Sequence, residues 1–173
     1  MNPYTSYKES GIEWVGYLPN KWEIIKGKNL FGHRVQKNNI NELLLSVTQD
    51  KGVVRRDELD YRVWNPQDDT STLKLVLKGD FVISLRTFEG GIELSNVRGI
   101  VSTAYTPLFP KKDISHHYYK YLFKSFGFIT ELNTITSGIR QGKNISYDDF
   151  SGLYLLFPPL QEQQQISSYL DHK

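Results

Sequence analysis

Arg140, Gln141, Lys143 and Asn144 crowd into a short polar stretch punctuated by Gly138 and Gly142. These side-chain types pair with base edges in duplex DNA: Arg or Lys with guanine, Asn or Gln with adenine, each pairing supplying about 1–3 kcal/mol of discrimination. The glycines lack side chains, so the backbone can approach a groove or a phosphate closely. The same residues also suit a solvated connector in which an Arg or Asn pins the fold, since polar loops carry function only sometimes. Arg86 and Thr87 pose a similar choice. They follow a predicted strand end and precede Phe88 and Gly90-Gly91, where they either project together into a groove or form a turn with an exposed Arg.

Other clusters read more blandly. Lys51, Arg55, Arg56 and Arg62 are interrupted by Asp57, Glu58 and Asp60, a pattern of a solvated face with local ion pairs rather than a phosphate grip. Lys111-Lys112 precede a predicted helix start and suit a solubilising turn or a phosphate contact. His116-His117 are adjacent, so on a helix they point about 100° apart and cannot jointly grip an ion as an i, i+4 pair does. Asn144-Ile145-Ser146 matches a glycosylation pattern, read as accidental without a secretory segment.

Enzyme chemistry finds little support. Asp80, Glu89 and Glu93 are the nearest approach to a metal-dependent nuclease set, but no Lys follows Glu93 at a useful interval. Phe157-Pro158-Pro159-Leu160 echoes a base-holding methyltransferase segment without its amide or its aromatic face. No glycine-rich cofactor motif follows a strand. The expectation is therefore no catalytic residue, no metal and no cofactor.

The chain that must position these groups has 173 residues, enough for one domain with a real core. Its hydrophobic share of 39% and charged share of 23% are those of a globular protein rather than a disordered one. A net charge of +2 provides no global basic field, so any nucleic-acid contact must be local. No apolar run approaches the roughly 20 residues that span a bilayer. The absence of cysteine suits an intracellular, cytoplasmic life and excludes thiolate metal sites. The 11 Tyr, 9 Phe and 3 Trp are assigned mostly to the core.

Residues 1–19, with Gly11, Gly16 and Pro19 among Trp14, Val15, Tyr17 and Leu18, suit an extended arm. Strands are predicted at 22–26 and 43–47, the latter ending in a turn at Gln49-Asp50-Lys51-Gly52; the mixed-charge stretch 53–63 has no clean period. Leu73, Leu75 and Leu77 alternate with polar or smaller residues, Lys78-Gly79-Asp80 turns the chain, and 81–85 continues as a strand, giving a hairpin or two strands meeting at a corner. Residues 92–94 form a short strand and 99–109 a long one ended by Pro110. Tyr118, Tyr119, Leu122, Phe123 and Phe126 recur at helical spacing across 115–132, with Asp113 or Ser115 as the cap. Residues 137–146 read as a loop and 153–157 as a buried strand, and a helix starts at Leu160 with Ile166, Tyr169 and Leu170 on one side. At about three turns that helix is marginal alone and needs a docking partner or a longer parent. The fold class expected is α+β: a mixed, β-rich core with peripheral helices.

Three segments, in order, resemble the specificity subunits of type I restriction-modification systems. The first is Tyr7-Lys8-Glu9-Ser10-Gly11-Ile12-Glu13-Trp14-Val15-Gly16-Tyr17-Leu18-Pro19 followed by Lys21-Trp22-Glu23. The second pairs Gly79-Asp80-Phe81-Val82-Ile83-Ser84 with Val101-Ser102-Thr103-Ala104-Tyr105-Thr106. The third joins Ser137-Gly138-Ile139-Arg140-Gln141-Gly142-Lys143-Asn144-Ile145-Ser146 to Phe157-Pro158-Pro159-Leu160-Gln161-Glu162-Gln163-Gln164-Gln165-Ile166.

The resemblance implies a non-catalytic target-recognition domain over residues 1–157 and the start of a long, conserved spacer helix over 158–173. Such a module reads one half of a split double-stranded DNA target. The resemblance further implies as partners a methyltransferase (modification) subunit and a restriction (nuclease-translocase) subunit. On this reading Arg86, Thr87, Arg140, Gln141, Lys143 and Asn144 lie near DNA, and Leu160, Ile166, Tyr169 and Leu170 meet a partner. Family members usually carry two such domains joined by long paired helices, whereas this sequence has one domain and the first turns of one helix. An alternative is a protein-binding module acting through that helix, a homodimer or a dimerising antagonist of intact subunits.

Overall fold

The computed structural model describes residues 4–60, 69–136 and 145–173. In chain order, β1 (Tyr7–Glu9) and β2 (Tyr17–Pro19) precede β3 (Glu23–Lys26), the one-turn α1 (Gly27–Leu30) and β4 (Phe31–His33). Then come β5 (Leu45–Thr48), β6 (Gly52–Arg55), β7 (Lys74–Val76), β8 (Phe81–Ile83), the short α2 (Thr87–Gly90), β9 (Glu93–Leu94), β10 (Gly99–Val101) and β11 (Thr106–Pro110). The last third holds α3 (His116–Phe123), α4 (Phe126–Thr136), α5 (Tyr147–Ser151), β12 (Tyr154–Phe157) and α6 (Leu160–Asp171). This is the α+β class expected, with its helices outside a mixed set of short strands.

The largest sheet among the described residues is antiparallel, in the order β4-β11-β8-β9. β8 sits inside it and is buried along its length. Side chains alternate across a strand, and the two faces of β8 serve two cores. Phe81 and Ile83 join the main cluster with Phe31, Leu108, Tyr119, Phe123 and Phe150, while Val82 joins a smaller one with Leu45, Val53, Val76 and Val101. The smaller cluster lies under the β5–β6 hairpin and the β7–β10 pair. In the main core Phe31 is the hub: its ring meets those of Phe81, Tyr119 and Phe150 edge-on at 5.5–6.0 Å and that of Phe123 at a tilt. Such pairs add about 0.5–1.5 kcal/mol each to their area burial.

Of the two readings of residues 73–85, the structure takes the corner. β7 pairs with β10 and β8 with β11 and β9, so the turn passes the chain between sheets. Gly79 has φ +94°, a backbone region that favours glycine. Asp80 closes the turn: its N–H donates to the Leu77 carbonyl and its carboxylate accepts the Leu77 N–H at 2.8 Å. The same buried carboxylate receives a two-pronged bond from Arg34 at 2.8 and 3.0 Å, and Arg34 lies over the Phe109 ring. Asp80 is thus committed to the corner, not to an ion.

Several expected elements are divided or differ. The long strand over 99–109 is two, β10 and β11, because Ser102 turns the chain: its carbonyl accepts the Tyr105 N–H and its hydroxyl the Ala104 N–H. The helix expected over 115–132 is also two. Ser115 caps α3 by accepting the Tyr118 N–H, and a break at Lys124 lets Ser125 accept the Phe128 and Ile129 N–H groups at the start of α4. The described part of the arm, residues 4–19, doubles back as a β1–β2 hairpin, with Trp14 packed on the main core. Gly127 faces Trp14 so closely that a Cβ would fall 2.3 Å from the indole. The stretch read without a period begins with β6, and α5, entered through a capping box of Ser146 and Asp149, lies beyond the loop expectation.

The break at Lys124 frees its ammonium to reach inward. It donates to Glu93, a buried carboxylate on β9, and to the backbone carbonyl of Gln49 at 3.1 Å. Burial raises the Glu93 carboxyl above its ordinary value of 4.5, against the pull of Lys124.

Two outcomes follow from these interior charges. Asp80→Ala leaves Arg34 and the Leu77 N–H without their acceptor and is expected to cost about 2–3 kcal/mol in urea denaturation, with Asp80→Asn losing less; a loss near zero for Asp80→Ala would show that the corner is not held this way. A carboxyl with a raised folded pKa binds its proton more tightly when folded, so its contribution to stability falls as pH rises from 4.5 through the folded value. The unfolding free energy of Glu93→Gln, relative to the parent protein, should therefore shift in favour of the variant across that interval and level off above it. A difference that does not change with pH would contradict the assignment.

Candidate nucleic-acid interface

The end of β8 delivers Arg86 to the surface through a tight internal turn. The Ser84 N–H donates to Thr87 Oγ1 at 2.8 Å, and the Arg86 N–H donates to Ser84 Oγ at 3.3 Å. The Arg86 carbonyl then accepts the Glu89 and Gly90 N–H groups, starting α2. α2 ends on Gly91, at φ +84°, where an added Cβ would lie 2.2 Å from the Phe123 carbonyl oxygen. Thr87 is wholly buried by this arrangement. The expectation that Arg86 and Thr87 project together is therefore corrected: Thr87 is an internal staple, and Arg86 and Leu85 face outward.

Across from Arg86 stands the exposed turn between β5 and β6. Gln49, Asp50 and Lys51 form its tip, and Gly52 closes it at φ +73°. Between the two turns lies an open concavity of about 620 Å³ whose lining includes Gln49, Asp50, Leu85, Arg86, Glu93 and Tyr105. The Gln49 amide donates weakly, at 3.4 Å, to the Arg86 carbonyl and to Glu89. Gln49 and Tyr105 are the members that motif reading missed. Their signal was present, since 49–52 is legible as a polar turn, but nothing local says that the turn faces Arg86 across a fold.

The remaining charged candidates are occupied or lie elsewhere. Arg55 is bound two-pronged by Asp57 and approached by Glu58, as a solvated ion-pair face requires. Lys111 donates to the Lys28 carbonyl at 2.8 Å. His116 stacks on Phe81 and His117 meets Asp171 at 3.1 Å, so the two histidines serve different contacts. No group of three His, Cys, Asp or Glu side chains is placed to hold a metal ion among the described residues. Arg140, Gln141, Lys143 and Asn144 lie outside the described residues, as does Arg62.

α6 is held by polar bonds. Gln163 is fully buried, accepting the Ser115 N–H at 2.9 Å and donating to the Pro158 carbonyl at 2.8 Å. Glu162 accepts from the Tyr4 hydroxyl and the Trp22 indole at 2.7 and 2.6 Å. Asp171 accepts from Tyr121 at 2.6 Å. The docking partner that a three-turn helix needs is therefore α3 of the same chain. Leu160, Tyr169 and Leu170 remain exposed at 39%, 58% and 37%. Ile166 shares the side of Tyr169 and Leu170 but is half-buried against the main core. No helix among the described residues is long and apolar enough to cross a membrane.

This geometry presents the Arg86 and Gln49 side chains from two facing turns, beside Asp50 and Glu89. Residues 19–172 match the family model described as type I restriction modification DNA specificity domain. No curated protein matches the chain. Among solved structures the fold is similar to the HsdS subunit from Thermoanaerobacter tengcongensis, at 18% identity and a TM-score of 0.59, covering 96% of this chain and 39% of that one. It is likewise similar to a chain from a structure of the type I R-M system, at 16% identity and a TM-score of 0.58, covering 96% and 40%. A third is the type I restriction-modification S subunit from M. genitalium, at 12% identity and a TM-score of 0.56, covering 88% and 40%. The chain thus spans about two fifths of the length of these structures. With the family model matched over nearly its whole length, the chain belongs to the type I restriction modification DNA specificity domains, whose work is the recognition of a DNA target.

Proposed function

We propose that this chain reads one half of a bipartite double-stranded DNA target for a type I restriction-modification complex and performs no catalysis itself. The match to the specificity-domain family over residues 19–172 carries the reading. The exposed Arg86 on the rim of a concavity supplies a group of the right chemistry. Residues 1–157 make the recognition domain and 158–173 begin the spacer helix. Arg86 and the stretch holding Arg140, Gln141, Lys143 and Asn144 contact DNA, some reading base edges and others gripping phosphates. The methyltransferase and restriction subunits, working in the cytoplasm, supply the chemistry and its cofactors.

A second reading rests on Tyr169 and Leu170, neighbouring apolar side chains left exposed near the end of α6. They suit a partner subunit or a second copy of the chain. If a homodimer forms through this face, it should dissociate on replacing Tyr169 and Leu170 with Ser, as read by sedimentation.

The reading is tested by selecting binders from a random duplex pool with the 173-residue chain, at low and physiological salt. Enrichment of one short, uninterrupted motif is expected. Arg86→Ala should then relax the preference at one position by about 1–3 kcal/mol while leaving the others intact, and Arg140→Ala should do the same at another position. Absence of binding at both salts would contradict the proposal.

A further inference from the structure

Gln49 has the side-chain type that pairs with adenine through its amide, and it stands exposed at the tip of the β5–β6 turn, on the same rim as Arg86. Its two bonds, to the Arg86 carbonyl and to Glu89, are both long at 3.4 Å, so the amide can give them up to a base edge at little cost. The space it occupies is kept open by Gly90, where a Cβ would lie 2.8 Å from Gln49 Cγ.

The backbone beneath Gln49 is treated differently. Lys124, 75 residues away, crosses from the α3–α4 junction to donate to the Gln49 carbonyl at 3.1 Å. It is oriented by Glu93, whose side chain is only 5% exposed. Burying a carboxylate and part of an ammonium to hold the carbonyl of a surface turn costs desolvation. A turn that merely connects two strands needs no such brace, whereas a reading residue must be placed to within a fraction of an ångström.

On the DNA-reading function proposed above, we propose that Gln49 is a second base-reading residue, directed at adenine, and that Lys124 is its positioning residue. The Lys124–Glu93 pair fixes the height of the β5–β6 turn against the rim. The weak bonds from Gln49 then keep its amide beside Arg86 until DNA replaces them. Arg86 and Gln49 consequently read neighbouring base pairs.

The test repeats the duplex-pool selection with four variants of the full chain. Gln49→Ala should lose about tenfold of the adenine preference at one position, next to the position that Arg86→Ala relaxes. Gly90→Ala, which crowds the Gln49 side chain and leaves the ion pair alone, should lose the same preference. Lys124→Met should lose it too while keeping salt-dependent binding to random duplex, and Lys124→Arg should restore it. A parent chain that selects no motif would overturn the DNA-reading function and this inference with it. A parent motif that survives unchanged in Gln49→Ala would overturn the inference alone. Lys124→Met losing every position equally would overturn the positioning role.

Discussion

Phe31 stands where the two halves of the fold meet. Its ring is in contact with Phe81 from β8, Tyr119 and Phe123 from α3 and Phe150 from α5, all fully buried. That cluster sets the distance between the four-stranded sheet and the helices. β8 carries the constraint onward, because its opposite face supplies Val82 to the smaller core under the β5–β6 hairpin. A shift of the aromatic cluster would therefore reach the turn that bears Gln49 through one three-residue strand. Close-packed interiors transmit such strain rather than absorb it.

Polar bonds then finish what packing begins. Asp80 and Arg34 fix the corner between sheets, Lys124 and Glu93 fix the hairpin turn, and Gln163 and Ser115 fix α6. In each case a buried or half-buried polar group bridges segments far apart in sequence. Such bonds add little net stability, but leaving one partner unmatched is costly, so they select one arrangement over its near neighbours. For a domain whose family recognises a DNA target, a unique arrangement of rim and helix matters more than added stability.

Local patterns made some of this legible in the sequence. The strand ended by Pro158-Pro159, the turn at Lys78-Gly79-Asp80 and the Ser115 cap are written in adjacent residues, and they stand where the sequence places them. The α+β class follows from the same patterns. What escaped depends on distant partners. Residues 99–109 look like one strand because their composition is uniform, and the Ser102 turn is needed only since β10 and β11 serve different sheets. The helix over 115–132 breaks at Lys124, whose ammonium then meets Gln49 and Glu93, partners far away in sequence. Thr87 reads as a surface residue beside Arg86, yet its hydroxyl is taken by the Ser84 N–H inside the turn, a bond that no local pattern announces. Gln49 carries no motif of its own, and Arg140, Gln141, Lys143 and Asn144 lie outside the described residues, so half of the candidate site rests on tertiary placement and half on sequence.

The central claim is that this domain distinguishes DNA sequences and does not merely hold phosphates. The measurement that tests it most directly is equilibrium binding of the 173-residue chain to its selected duplex and to the same duplex with the motif scrambled, across a salt series. Both affinities should fall as salt rises, while the selected duplex stays at least about tenfold tighter throughout, because base contacts release no counterions. Equal affinity for the two duplexes at every salt would contradict the account.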